Sequence, residues 1–165
     1  GAANSTLYDI MSGHTATYGS NISSTTTNGL TINGNGGAGV DDVAIDPTEI
    51  YSSYSIEFYI RLNSNSNYAG ICMFKKGTGN QVVVDMYSTQ KKLRFYMYTG
   101  GSLLFGSHNA SEGSHTGTEM TVDGSTYHHI VCTYNSSTEQ AEYYQDGVRV
   151  WYRDSLSINE SNSLN

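Results

Sequence analysis

The chain has 165 residues, a length that suits one domain, spanning 1–165, with a proper core. Ser, Thr, Asn, Gly and Tyr dominate, there is one Pro, and the residues that fill helices are sparse, which points to an all-β protein with polar loops. A formal charge of −7 with only eight Lys and Arg excludes a nucleic-acid groove, which needs a basic footprint to neutralise phosphate; an acidic surface could serve a cation instead.

No stretch reaches the roughly 20 apolar residues of a membrane span, and no secretory h-region is present. Gly1 is not an initiator Met, so the chain is expected to be processed or to be a piece of something longer. Cys72 and Cys132 both sit in apolar runs, as one buried disulfide or as two buried thiols, the latter needing no oxidising compartment. Asn-x-Ser/Thr sequons at Asn4, Asn21, Asn109, Asn135 and Asn159 are glycosylation candidates and point towards a secreted or surface location.

In chain order, Thr6–Ile10, Thr15–Tyr18 and Gly29–Asn33 are expected as short strands between Ser/Thr/Asn/Gly-rich turns. The Gly-x-Gly pattern of residues 33–37 is not a phosphate loop, because no helix follows whose N-terminus could hold the phosphate. Asp41, Asp42 and Asp46 then place three carboxylates close together. Oxygen clusters of this kind are what calcium takes, but a site needs roughly six to eight oxygens, and a solvated strand end is the simpler account of the pattern. From Tyr54 to Leu62 the chain alternates, with Ile56, Phe58 and Ile60 on one face and Ser55, Glu57, Tyr59 and Arg61 on the other. A strand over Tyr68–Lys75 follows, then a loop from Lys76 to Asn80.

The runs Gln81–Ser88 and Lys92–Tyr98 read as a hairpin turning at Gln90-Lys91. That register sets Met86 against Phe95 and Val84 against Met97 on an apolar face, with Tyr87 against Arg94, Asp85 against Tyr96 and Val83 against Tyr98 on the other. A one-residue slip would bury the charges. Tyrosines beside an Asp and an Arg are the kind of surface that recognises sugars: a ring stacks on the apolar face of a pyranose, and charged groups fix its hydroxyls. Exposed strand positions also favour Tyr for its β propensity alone. Ser102–Phe105 is a further short strand, and the polar loop after it brackets Glu112 between His108 and His115 at a spacing that matches no zinc site.

Residues 126–152 carry the strongest signals. Tyr127–Tyr134 alternates, Asn135–Thr138 breaks the run, a second run from Gln140 reaches Asp146-Gly147, and a third begins at Val148. Asp-Gly between two such runs is a hairpin signal. His128 and His129 are expected to point to opposite faces of their strand and so cannot share a metal. Taking Asp146-Gly147 as the turn pairs Tyr143 with Val150 and Ala141 with Tyr152, and pairs Tyr144 with Arg149 and Glu142 with Trp151 on the polar side. There Trp151 would stack on a ligand or, more in keeping with Trp, pack under a neighbouring loop or chain.

This stretch resembles the laminin-G-like and pentraxin-like branch of the concanavalin A-like lectin/glucanase domains, through Tyr127, His129, Ile130, Thr133, Tyr134, Tyr144, Asp146 and Gly147, with Tyr127 where a Trp is usual. The resemblance implies an antiparallel jelly-roll β-sandwich. It makes Tyr54–Leu62 the central strand, and it relates the Lys76–Asn80 loop to one that in pentraxins supplies part of a calcium site, of which only Asn80 is retained. It also implies further C-terminal strands that do not appear before Asn165, so another chain or further sequence is expected to complete the sandwich.

Catalysis is not expected. Retaining glucanases need two carboxyls about 5 Å apart, and the Glu-x-Asp-x-x-Glu spacing that supplies them in that superfamily is absent. The sequence therefore points to a non-catalytic binding module, extracellular or on a cell or virion surface. Carbohydrate is the expected ligand, held by Asn80, Asp85, Tyr87, Arg94, Tyr96 and Tyr98, with calcium as the cofactor such a site would take. The alternative is a structural or assembly domain of a viral, phage or cell-surface fibre, its aromatic face and open edge covered by other subunits.

Overall fold

Twelve antiparallel strands and no helix make up the described part of the chain. The computed structural model describes residues 5–8, 15–18, 22–25, 29–32, 53–62, 70–76, 80–87, 91–107 and 118–156. The chain divides into two compact units, Gly1–Thr48 and Glu49–Asn165. In the first, β1 (Ser5–Tyr8) pairs with β2 (Thr15–Tyr18), and β3 (Ile22–Thr25) pairs with β4 (Gly29–Ile32). Three of these match the expected strands closely. The third does not, because Ile22–Thr25 is one apolar residue followed by polar ones and carries no alternation.

The second unit holds two four-stranded sheets. One has the order β12 (Val148–Arg153), β11 (Gln140–Gln145), β10 (His128–Asn135), β5 (Tyr54–Ile60); the other runs β6 (Gly70–Lys76), β7 (Asn80–Tyr87), β8 (Lys92–Thr99), β9 (Ser102–Gly106). Both inner faces follow the alternation. Ile56, Ile130, Cys132 and Tyr143 of the first sheet meet Val82, Val84, Phe95, Met97 and Phe105 of the second in one buried cluster. Trp151 stacks on Phe105 at 5.8 Å between ring centroids and meets Phe95 edge-on at 6.3 Å, and Tyr54 Oη reaches Met97 Sδ at 4.0 Å, so aromatic side chains join the layers. Met120 and Leu156 extend this core, anchored through Met120 N–H to Lys91 O at 2.8 Å and Leu156 N–H to Glu139 O at 2.9 Å. Cys132 is a fully buried thiol.

The Asp146-Gly147 turn forms as expected: both residues have positive φ, 53° and 79°, the geometry a two-residue hairpin uses to follow the strand twist. Two registers differ from expectation. In β7–β8, Val84 faces Phe95 and Asp85 faces Arg94, a slip of two residues from the expected pairing, closed by a connection over residues 88–91 with Lys91 at φ 49°. A slip of two leaves every side chain on its face, so alternation alone cannot detect it. In β11–β12 the pairs Gln145–Val148 and Tyr144–Arg149 hold, but a bulge follows and Tyr143 faces Trp151 while Glu142 faces Tyr152. The extra residue reverses the phase of the strand, so Val150 and Trp151 are both buried and Trp151 belongs to the core rather than to the polar side.

Candidate functional site

The polar face of β7 and β8 gathers the expected residues and binds them to one another. Asp85 stands directly opposite Arg94 and receives Nε on Oδ1 at 2.6 Å and Nη2 on Oδ2, a two-point ion pair. Tyr96 Oη donates to Asp85 Oδ2 at 2.9 Å, the Arg94 guanidinium lies over the Tyr96 ring at 5.4 Å, and Tyr98 meets Tyr96 edge-on at 5.7 Å. Asp85 is only 5% exposed. Burial, with the Asp85 carboxylate next, holds the Tyr96 phenol above its ordinary range. Four of the expected ligand residues are therefore together, but the carboxylate is covered and its oxygens are engaged. Asn80 and Tyr87 lie on β7, their side chains outside the described residues, as are Asp41, Asp42, Asp46, His108, Glu112, His115 and the sequon residues Asn4, Asn21, Asn109 and Asn159. Among the described residues no cluster of three His, Cys, Asp or Glu is placed to hold a metal.

The outer face of the other sheet is open and equally rich. Strand pairing lines up Ser55, Thr133, Glu142 and Tyr152 in one row across four strands, and beside it Glu57, Val131, Tyr144 and Arg149 in the next. Glu142 accepts from Arg149 Nη1 on Oε1 at 2.8 Å and from Tyr144 Oη on Oε2 at 3.1 Å, and Arg149 lies over the Tyr152 ring at 4.7 Å. At the far end Tyr59 stacks on His129 at 4.6 Å, and His129 Nε2 pairs with Glu57 Oε1 at 2.8 Å. Tyr59 is 68% and Tyr152 55% exposed. Where β10 turns into β11, a groove of about 480 Å³ opens against the first row, bordered by Ser55, Thr133, Asn135, Gln140 and Glu142.

His128 and His129 do point to opposite faces. His128 is buried, with Nδ1 2.8 Å from Asp146 Oδ2 and Nε2 3.1 Å from the amide nitrogen of Thr121. An amide N–H only donates, so Nε2 is the acceptor and the proton sits on Nδ1: a neutral imidazole donating to Asp146. An Asp–His pair can serve as a general base only through a ring nitrogen left open to a substrate, and here that nitrogen is taken. The pair is structural, and Asp146 adds to it by accepting the His129 N–H at 2.9 Å.

Two carboxylates give the fold an acid limit. Burial raises Asp146, but the hydrogen bonds from His128 and the His129 N–H outweigh it and leave its carboxyl below the usual range. The N–H groups of Thr126 and Ser125 and the Thr126 hydroxyl, each at 2.7 Å, hold Asp123 lower still. A folded-state value below the unfolded one of about 3.9 means that both contributions are complete above that pH and are lost as pH falls through the folded values. The midpoint of urea unfolding should accordingly drop below about pH 4, with a shallower drop in Asp146→Asn.

The second unit is thus a two-sheet antiparallel sandwich with a polar, aromatic outer face on the β12–β11–β10–β5 sheet. The chain belongs to the concanavalin A-like lectin/glucanases superfamily: the superfamily's laminin G model matches residues 32–158. The domains LG4-5 of the mouse laminin alpha1 chain are similar in structure, at 10% identity and a TM-score of 0.47, over 67% of this chain and 26% of the laminin chain. No curated protein matches the chain. Laminin G-like domains are in general non-catalytic binding modules.

Proposed function

We propose that this protein is a non-catalytic, extracellular or surface-exposed binding module for carbohydrate, and that it meets its ligand on the outer face of the β12–β11–β10–β5 sheet. The observation that carries this reading is the row Ser55, Thr133, Glu142 and Tyr152: the first three line the groove with hydroxyls and a carboxylate, and Tyr152, beside Glu142 on the next strand, adds an exposed aromatic ring. These are the groups that hydrogen-bond sugar hydroxyls and stack on a pyranose. The Asp85, Arg94, Tyr96 and Tyr98 cluster supports the opposite sheet, with Tyr96 and Tyr98 at its partly exposed edge.

A broad glycan array, read with calcium and again with chelator, tests the proposal. Retained glycan that a Tyr152→Ala/Tyr59→Ala double variant loses is the expected result, and loss with chelator would add a metal. A folded protein that binds nothing in either condition would sink the proposal and leave the assembly domain of a fibre as the better reading.

A further inference from the structure

The groove's own chemistry narrows the ligand. We infer that it takes an uncharged mono- or disaccharide unit, and discriminates against sulfated, sialylated and uronic-acid glycans; this rests on the carbohydrate reading above. A volume of about 480 Å³ lies within the range of small-ligand sites. Among the described residues no Lys, Arg or His lines the groove, and the one charged side chain there is Glu142. The nearby cation, Arg149, already donates to Glu142 at 2.8 Å. An anionic sugar entering here would face a carboxylate with no lining cation to offset it.

The remaining groups suit neutral hydroxyls. Among the described residues no hydrogen bond engages the side chains of Ser55, Thr133 or Gln140, so their hydroxyls and amide are open to a ligand. Asn135 turns Oδ1 back to the Ser137 N–H at 2.9 Å, which leaves its amide hydrogens to donate. Glu142 is held in place from both sides, by Arg149 on Oε1 and Tyr144 on Oε2. Each oxygen keeps a second lone pair, and the two together fit a pair of neighbouring hydroxyls that both donate. A site built to receive hydroxyl donors rejects analogues that cannot supply them, because its own polar groups would be left unpartnered.

The test uses the full chain made in a bacterial host, so that Asn135 carries no glycan, with Thr133→Val and Glu142→Gln variants checked by circular dichroism. Probes are neutral oligosaccharides (lactose, maltotriose, cellobiose) beside sialyllactose and heparin oligosaccharides, each on the array and then in titration. Binding to neutral probes, weakened about tenfold or more by each variant with the fold intact, is the expected result. Binding confined to the acidic probes, and removed by salt, keeps the carbohydrate reading but overturns this inference. So does neutral binding that survives both variants and falls only with Tyr59→Ala. Absence of any glycan binding by the folded protein overturns both.

Discussion

Trp151→Ala should lower the stability of the fold by about 3–5 kcal/mol, the range for removing a fully packed large aromatic. Trp151 is the only tryptophan, is 5% exposed, and touches both Phe95 and Phe105 across the sandwich. It is thus a main contact through which the two sheets recognise each other, and small domains hold only about 5–15 kcal/mol in total. Trp151→Phe separates packing from polarity. Among the described residues the buried indole Nε1 meets no hydrogen-bond partner, a state that costs about 1–3 kcal/mol, and phenylalanine removes it while keeping a ring against Phe105. The Phe variant should therefore recover more than half of the loss. Urea unfolding followed by far-UV circular dichroism measures all three proteins, and in the native chain a blue-shifted emission that moves red on unfolding checks the burial directly. Equal losses in the two variants would mean that the indole makes a specific contact beyond these rings.

The same residue shows where sequence reading stops. Alternation assigned the inner faces of β5, β7, β8 and β10 correctly, because a side-chain period of two is a property of the strand itself and survives any even slip. It placed Trp151 on the wrong side because a bulge at Val150 shifts the phase, and nothing in Val-Arg-Val-Trp-Tyr-Arg marks where the extra residue will fall. The β7–β8 pairing missed by two for a related reason: loop length, not polarity, chose between registers with identical faces.

The candidate groove was hidden more deeply. Ser55, Thr133, Glu142 and Tyr152 come from four strands and are ordinary exposed residues one at a time; only the pairing of β5, β10, β11 and β12 makes them a row. The Asp85, Arg94 and Tyr cluster was visible because its members lie on one hairpin. Alternation put these residues on one face, but the expected register set Asp85 against Tyr96 and Tyr87 against Arg94 rather than Asp85 against Arg94. His128 and Asp146 had a usable signal, since a histidine that opens a strand and the Asp of the following Asp-Gly turn lie at the same end of the sheet.

Asp85→Ala should prove to be a stability variant before it is a binding variant. The side chains of Asp85 and Arg94 are 8% and 13% exposed, so the pair sits largely out of water. Deleting the carboxylate takes the two-point acceptor from Arg94 and an acceptor from Tyr96 Oη, and breaking a buried pair from one side costs about 3–5 kcal/mol. Replacing both members tests whether the charge or the shape matters: an Asp85→Leu/Arg94→Met variant removes the buried charges together, and such exchanges are commonly neutral or stabilising. The double variant should therefore be clearly more stable than Asp85→Ala, and glycan titration at a temperature where it is folded should give an affinity within about twofold of the native chain, because the groove lies on the opposite sheet. If Asp85 and Arg94 held the sugar themselves, the outcome reverses: the double variant would fold and fail to bind. The two arms thus decide which sheet of the sandwich faces the ligand.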